Sequence, residues 1–296
     1  MTQHPVIVIG AHRSGTSAVA RVLGRLGVFM GSRLDPNHEA LFFQRLDEWI
    51  LAQCGARWDN PEAVQHLIAD AHQTALCTHH LAQVVRSPRA IGFLGLGRWV
   101  RGERIGSGAR WGFKDPRATF TLPLWLKLFP DARVVHVHRH GVDVAQSLCK
   151  RHLRSLRESE RRYRRNRLLL SCFAKRAGFG DSPRLSSLEG AFSLWESYVR
   201  RSRAQVASLG DQALEFAYEE LAASPIAVVE RLARFTRLDV GADAIEAAAA
   251  TIEGDRAAAH RNDPSLTGFA DRMAQRVRIA REGCPDAEPA IDAMAT

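Results

Sequence analysis

Short apolar runs and longer amphipathic segments alternate along the chain, and this pattern predicts its elements. The first apolar run, Val6 to Ile9, enters a glycine-rich turn, after which apolar residues recur at helical spacing as far as Leu26. Apolar runs predict strands at 5–10, 111–113, 132–140 and 213–221. Helical spacing predicts helices at 16–26, 40–53, 61–86, 122–129, 189–208 and 225–237, and a further helix that begins near 141.

The alternation of strands with helices predicts the fold class. Strands that are separated by helices pair in parallel, and helices then cover both faces of the sheet. We therefore expect an α/β protein, a three-layer α/β/α sandwich with a central parallel sheet. One domain is expected over 1–296, with its core at about 5–238, a basic insertion or flap at 151–188 and a C-terminal segment at 239–296.

Composition limits the size of the core, the location of the protein and the role of its cysteines. The chain has 296 residues, of which 46% are apolar, and can therefore bury a large core. No apolar run reaches the roughly 18 residues of a membrane-spanning helix, and the first strand pattern begins too close to Met1 for a signal peptide. Five scattered cysteines without C-x-x-C spacing predict neither a disulfide framework nor a zinc site. We expect a cytoplasmic protein with reduced thiols.

The glycine-rich turn resembles a P-loop from which the lysine is missing. Residues 10–17 read GAHRSGTS, and Thr16 stands where G-x-x-x-x-G-K-[ST] has its lysine. The cation of this loop is instead Arg13. Because the start of the following helix also attracts anions, the loop is expected to hold a phosphate-like group, but not as an ATPase does.

A second polar segment, RHGVDVAQS at 139–147, follows the clearest internal strand. Arg139 lies at the carboxyl end of that strand, where open α/β sheets bind their ligands. Ser147 lies two turns along the next helix, and Asp143 suits the electropositive first turn of that helix. An arginine at a strand end and a serine on the next helix can converge on one phosphate.

Together these segments resemble the sulfotransferase superfamily, in its bacterial type, whose members use 3′-phosphoadenosine 5′-phosphosulfate (PAPS). In that family [KR]-S-G-T-[TS] binds the 5′-phosphosulfate and R-x-x-x-D-x-x-x-S binds the 3′-phosphate. The matching residues here are Arg13-Ser14-Gly15-Thr16-Ser17 and Arg139, Asp143 and Ser147. Two further segments resemble the family's K-D-P turn and its Y-E-D-L segment, namely Trp111 to Arg117 and Phe216 to Leu221. The resemblance extends in order along residues 5–238.

The resemblance implies PAPS as co-substrate, adenosine 3′,5′-bisphosphate (PAP) as product, and no metal. It implies donor contacts from Arg13, Ser14, Gly15, Thr16, Ser17, Arg139, Ser147 and Tyr218. Arg13 and Lys114 are expected to stabilise charge during transfer. Relatives that sulfate small phenols have a tryptophan after the loop and a K-T-H turn, whereas this chain has Ala18 and K-D-P. A late phosphate loop of the family has no clear counterpart, and Arg256 and Arg261 are candidates for its role.

An acceptor hydroxyl must lose its proton, so the reaction implied by the resemblance needs a base. Several relatives use a glutamate from the segment after the first helix, and we choose Glu39 from LDPNHE. A solvated loop carboxylate would look the same in the sequence. The other candidates for the base are Asp35, Asp47 and Glu48.

Two further patterns have more than one interpretation. The alternating His136, His138 and His140 share one face of a strand, which allows a metal site, although a buried strand offers little space for one. The chain carries a net charge of +9, and residues 151–167 hold eight arginines against two glutamates. Such a run could gather an anionic glycan or a nucleic acid, but it is more typical of a solvated helix or flap.

We expect a PAPS-dependent sulfotransferase that sulfates a hydroxyl group, on a glycan or glycoconjugate rather than on a small phenol. One alternative is a nucleotide or small-molecule kinase, which would need magnesium and an acidic strand end. The other is an arginine-rich nucleic-acid-binding module, which would bind polyanions without a nucleotide. No nucleic-acid partner and no membrane span are expected.

Overall fold

A single parallel sheet organises the computed structural model, which describes residues 4–107, 110–172, 178–252 and 257–282. The strands of this described part are β1 (Val6–Ile9), β2 (Gly112–Lys114), β3 (Arg133–His138) and β4 (Ala213–Ala217). They lie in the order β2-β1-β3-β4, and Ile7 of β1 stands opposite Phe113 of β2 and Val134 of β3. β2 lies on one side of β1, and the chain then crosses to β3 on the other side of β1. The strand order therefore reverses between β1 and β3.

Helices connect and cover these strands. They are α1 (Thr16–Arg25), α2 (Leu41–Ala52), α3 (Val64–Ala69), α4 (Ala71–Arg86), α5 (Ile91–Leu94), α6 (Leu96–Val100), α7 (Ala118–Leu128), α8 (Gly141–Cys172), α9 (Leu188–Leu209), α10 (Tyr218–Ala223), α11 (Pro225–Phe235), α12 (Ala242–Ala249) and α13 (Thr267–Glu282). Among the residues that the structure describes, none of these helices combines the length and the apolar character needed to cross a membrane.

The two faces of the sheet belong to different apolar clusters, which confirms the three-layer prediction. Successive side chains of a strand point to opposite faces. Val6 and Val8 accordingly pack with α1, α10 and α11, whereas Ile7 and Ile9 belong to the larger cluster that includes α2, α7 and α9. All four side chains are buried, as expected for a parallel strand that is covered on both faces.

Some helix and strand boundaries differ from those predicted from the sequence. The helix predicted at 61–86 is two helices, because Asp70 ends α3 and caps α4 by accepting a hydrogen bond of 2.8 Å from the Gln73 N–H. The strand predicted at 213–221 ends at Ala217, and α10 begins at once with two glutamates in its first turn. The helix predicted at 122–129 begins four residues earlier, at Ala118.

The arginine-rich run lies within α8. This helix spans 32 residues, and its helical geometry is interrupted at Asn166. Its first turns pack against α9, whereas the arginines from Arg161 to Arg165 are exposed. These arginines are therefore on a solvated helical surface, whereas the start of the run at Arg151 is half-buried.

Candidate active site

A cleft of about 670 Å³ opens at the carboxyl ends of β1, β2 and β3, where the strand order reverses. Ligands of open α/β sheets bind at such a position. Among the described residues, its lining includes one carboxylate, that of Glu39. The cations that line it are Arg13, Arg21, Lys114, Arg139 and Arg151. This excess of positive charge suits an anionic ligand.

The loop from Gly10 to Ser17 is held from behind. The Gly10 N–H donates to Thr119 Oγ1 at 3.1 Å, and Ser14 Oγ donates to the Val137 carbonyl at 2.9 Å. Ser14 is fully buried and its N–H bonds to the Ala11 carbonyl, so both of its donors shape the loop. Ser17 Oγ, at the start of α1, donates to the Asn37 carbonyl at 2.7 Å.

The first turn of α1 opens into the cleft. Its N-cap is Gly15, which has no side chain to satisfy the first N–H groups, and Thr16 and Ser17 line the cleft. The φ of Gly15 is 102°, and a Cβ built on Gly15 would lie 2.3 Å from Cδ2 of Tyr218. Glycine is therefore required both by the backbone and by the tyrosine ring that packs against the loop. An uncapped helix start of this kind is a ready anion site.

The predicted phosphate residues are brought together across the sheet. Arg13 Nε donates to Ser147 Oγ at 2.9 Å, which joins the loop to α8. Arg139 is 8% exposed, and its guanidinium carbon lies 5.3 Å from the centre of the Tyr218 ring. Its Nη2 lies 3.6 Å from Oδ2 of Asp143. Arg13, Arg139, Ser147 and Tyr218 thus form one continuous wall.

The C-terminal segment completes this wall, which the strand and helix patterns did not predict. Asp143 Oδ1 accepts a hydrogen bond of 2.7 Å from the His260 N–H and lies 3.0 Å from Nδ1 of the same residue. The His260 ring stacks on His140, with centroids 4.0 Å apart. Arg261 follows directly, whereas Arg256 lies outside the described residues.

The opposite wall is a buried network of ion pairs. Lys114 Nζ lies 2.9 Å from Glu39 Oε1 and donates to the Asn37 carbonyl at 3.0 Å. Glu39 Oε2 accepts hydrogen bonds from Arg117 Nη1 at 3.1 Å and from Gln44 Nε2 at 2.9 Å. Glu39 is 3% exposed, so it is not the solvated loop carboxylate that the sequence allowed.

The three alternative candidates for the base lie elsewhere. Asp35 accepts backbone N–H bonds from residues 37 and 39 and closes the turn that carries Glu39. Glu48 is at the rim, 3.2 Å from Arg117 Nη2. Asp47 is buried beneath the cleft, where its Oδ1 accepts hydrogen bonds from Thr121 and Trp125.

His12 lines the cleft and was not singled out from the sequence. Its ring meets Trp58 and Tyr198 edge-on, with centroids 4.8 and 5.8 Å away, and its Nε2 is buried without a partner. Burial, followed by the charge of Arg117 and of other cleft cations, lowers the pKa of His12 well below 6.5. The imidazole is therefore neutral at neutral pH. Its position inside the loop was the signal that could have revealed it.

Arg21 and Arg151 are further lining residues that the sequence analysis did not select. Arg151 Nε donates to Asp181 Oδ2 at 2.6 Å, and its guanidinium lies 5.0 Å from the Trp58 ring centre. Arg151 is the first arginine of the basic run, so the run begins at the cleft itself.

The histidines of β3 take structural positions. His136 Nδ1 lies 2.8 Å from Glu215 Oε2 on β4, and His138 Nε2 lies 3.8 Å from Glu215 Oε1. His140 lies beyond the strand and stacks on His260. In the described part of the chain, no group of three or more His, Cys, Asp or Glu residues could hold a metal ion.

Comparison with known proteins gives one match over most of the chain. A family model described as the sulfotransferase family matches residues 5–242. No curated protein sequence matches significantly.

Solved structures of sulfotransferases are similar at low identity. One from Mycobacterium tuberculosis has a TM-score of 0.47 and 19% identity, covering 96% of this chain and 78% of that chain. One from Alicyclobacillus acidocaldarius has a TM-score of 0.44 and 16% identity, covering 94% of this chain and 95% of that chain. A mouse sulfotransferase in complex with PAP has a TM-score of 0.35 and 14% identity, covering 84% of this chain and 64% of that chain.

The ion-pair network predicts a large effect on stability. Glu39→Gln leaves Lys114 and Arg117 buried without their shared anion, which costs roughly 3–5 kcal/mol of unfolding free energy. Glu48→Gln is the matched control, because this side chain is 54% exposed and its ion pair with Arg117 contributes at most about 1 kcal/mol. Urea denaturation of the three proteins measures both effects. Equal, small losses in both variants would contradict the structural role of Glu39.

Proposed function

Because the chain belongs to the sulfotransferase family, we propose that it transfers a sulfuryl group from PAPS to a hydroxyl group of an acceptor and releases PAP. The observation that carries this proposal is the convergence of Arg13, Lys114 and Arg139 on one cleft at the reversal of the strand order. A donor with a 5′-phosphosulfate and a 3′-phosphate needs cations at two separate points, and the two walls of the cleft provide them.

The donor is proposed to lie across the start of α1. Backbone N–H groups of Gly15, Thr16 and Ser17 and the positive end of the helix would bind the 5′-phosphosulfate, with Ser14 holding the loop in shape. Arg139 and Ser147 would bind the 3′-phosphate, and charged hydrogen bonds of this kind are the strong ones. Tyr218 would contact the adenine. The bond between Arg13 and Ser147 supports this arrangement, because it keeps the two phosphate sites adjacent.

Transfer requires little covalent chemistry from the protein. The acceptor oxygen attacks sulfur in line, the bond from sulfur to the bridging phosphate oxygen breaks, and that oxygen retains the electron pair. Arg13 and Lys114 would stabilise the charge that develops there, as preorganised cations do in phosphoryl transfer. No metal has a role in this scheme.

Glu39 is proposed to accept the proton of the acceptor hydroxyl. In the structure both of its oxygens are engaged, Oε1 by Lys114 and Oε2 by Arg117 and Gln44. When Lys114 turns to the bridging oxygen of the donor, Oε1 becomes available as a base while Arg117 still holds Oε2. Donor binding would thus activate the base, which is paired with Lys114 until the donor binds.

The acceptor is proposed to be a glycan or glycoconjugate that carries negative charge, because basic residues surround the approach to the cleft. Arg151 lines the cleft, and the exposed arginines of α8 continue outward from it. Such a surface raises the local concentration of an anionic acceptor. The end of β3 carries Arg139 rather than an aspartate, which disfavours the kinase alternative, and family membership disfavours a nucleic-acid-binding module. A bacterial cytoplasm is the proposed location.

The donor assignment predicts selectivity between nucleotides. PAP should stabilise the protein against heat far more than AMP does, because only PAP carries the 3′-phosphate that Arg139 and Ser147 would bind. Charged hydrogen bonds contribute about 1.5–3 kcal/mol each, so Arg139→Ala should remove most of the difference. Arg133→Ala, at the other end of the same strand, should retain it. Equal shifts with PAP and AMP in the wild type would refute the assignment.

The role of Lys114 predicts a loss in rate rather than in donor affinity. Lys114→Ala should lower kcat by roughly a hundredfold or more, the usual scale for one preorganised electrostatic group, while PAP affinity falls much less. Lys127→Ala replaces an exposed lysine on α7 and should leave kcat unchanged. The assay uses labelled PAPS with a panel of glycan acceptors. An unchanged kcat in Lys114→Ala would remove this residue from the mechanism.

The basic surface predicts salt-dependent acceptor kinetics. Replacing Arg161, Arg162, Arg164 and Arg165 with serine should raise the acceptor KM and flatten its dependence on salt, with PAP binding unchanged. A control variant replaces four exposed arginines on other helices, Arg25, Arg86, Arg234 and Arg278. Acceptor kinetics that respond equally in both variants would show that net charge, not this surface, is responsible.

A further inference from the structure

A second cavity, of about 610 Å³, lies beside α2 and α5 and shares no lining residue with the cleft among the described residues. Its size is that of a small-molecule site, and its mixture of apolar surface with a few charged groups is typical of such sites. Its apolar lining comes from Leu41, Phe42 and Leu46, and its charged lining from Arg33, Arg45 and Arg89. This cavity is named the arginine pocket.

The positive charge of the arginine pocket is uncompensated within the described part of the chain. No carboxylate lines it there, and its three arginine side chains make no ion pair or hydrogen bond with the residues that the structure describes. All three are exposed. Each planar guanidinium can donate two parallel hydrogen bonds to an anion, so three of them around one cavity suit an anionic group well.

The lining of the pocket indicates the chemistry of its ligand. An anion alone would leave the apolar lining in water, and an apolar molecule alone would leave the three guanidinium groups without an anion. A phosphate group offers three strong acceptor oxygens, whereas a carboxylate offers two. An apolar chain that carries a phosphate group therefore matches both parts of the lining.

One hairpin, at residues 33–41, joins the arginine pocket to the cleft. An antiparallel bridge closes this hairpin, and the Leu41 N–H donates to the Arg33 carbonyl at 3.0 Å at its base. These two base residues line the pocket, whereas Glu39 lines the cleft. Leu41 follows Glu39 by two residues, so their Cα atoms are at most about 7 Å apart. A molecule that reaches Glu39 can therefore extend into the pocket.

We propose that the arginine pocket binds an apolar chain with a phosphate group, and that this ligand is part of the acceptor, a glycoconjugate whose hydroxyl group reaches Glu39. The assignment to the acceptor rests on the proposed function, in which Glu39 is the base. The binding itself does not, since it follows from the lining and the charge of the pocket.

Gly92 on α5 offers a variant that fills the pocket without changing its charge. It lines the pocket, and a Cβ built on it would lie 3.7 Å from Cδ2 of Phe42, which is an ordinary contact. A leucine at this position would therefore project towards the apolar lining. Gly24→Leu is the matched control, because a Cβ at this helical glycine of α1 meets open space. Thermal unfolding checks that both variants are folded.

Isothermal titration calorimetry tests the ligand on the full chain. The protein is first saturated with PAP, so that phosphate groups do not enter the proposed donor site. Hexyl phosphate should then bind, and hexanol and inorganic phosphate should each bind roughly tenfold more weakly or worse, because each makes only one of the two kinds of contact. Absence of hexyl phosphate binding, or equal binding of inorganic phosphate, overturns the proposal.

Variants locate the bound hexyl phosphate. The double variant Arg45→Gln with Arg89→Gln should weaken its binding roughly tenfold or more, the scale of charged hydrogen bonds. The control Arg234→Gln with Arg278→Gln removes two exposed arginines of α11 and α13 and should keep the wild-type affinity. Gly92→Leu should weaken binding, whereas Gly24→Leu should not. Wild-type affinity in Gly92→Leu, or a loss of binding in Arg139→Ala, would place the ligand outside the arginine pocket.

Kinetics then test the assignment to the acceptor. With an acceptor from the glycan panel, hexyl phosphate should compete with the acceptor and not with PAPS. Gly92→Leu should raise the acceptor KM of a glycan that carries an alkyl phosphate and leave kcat near the wild-type value, as loss of uniform binding does. Competition with PAPS instead would refute the assignment. If the protein transfers no sulfuryl group at all, the proposed function fails, and calorimetry still decides what the pocket binds.

Discussion

The charge balance of one buried carboxylate, Glu39, is the constraint on which the rest of the site depends. A cleft that binds a polyanion needs cations, and cations that are buried beside one another cost several kcal/mol each unless an anion compensates them. Glu39 compensates Lys114 and Arg117 at once, and Gln44 satisfies its remaining hydrogen-bonding capacity. This network allows the wall with Lys114 to keep its buried positive charges before a donor binds.

On the other wall of the cleft, the buried cation is compensated by different groups. Arg139 is buried beside Tyr218, with Asp143 as its carboxylate neighbour, and Asp143 is itself bonded to His260 from the C-terminal segment. The carboxylate therefore links a strand end, a helix start and a late segment of the chain. Arg13, bonded to Ser147, joins this wall to the loop. This hydrogen bond keeps the two proposed phosphate sites next to each other.

The two walls of the cleft both carry positive charge, but their proposed roles differ. The wall with Arg139 is suited to holding a donor, because its groups are fixed by several contacts. The wall with Lys114 contains Glu39, which is proposed to accept the proton of the acceptor. A reaction that separates binding from proton transfer benefits from this division, since the electrostatics of one can change without loss of the other.

The sequence by itself determined the layered fold, and its motifs contain the residues that are proposed to bind the donor. The strand that contains Val6, the loop at Arg13 and the strand end at Arg139 are local patterns, because side-chain periodicity and glycine positions act within a few residues. Family resemblance added Lys114 and Glu39. Only the tertiary structure decided the partners: Glu39 meets Lys114 across 75 residues, and His260 meets Asp143 across 117. The neutral His12 and the burial of Asp47 and Asp115 also required the fold, because burial depends on how distant segments of the chain pack together.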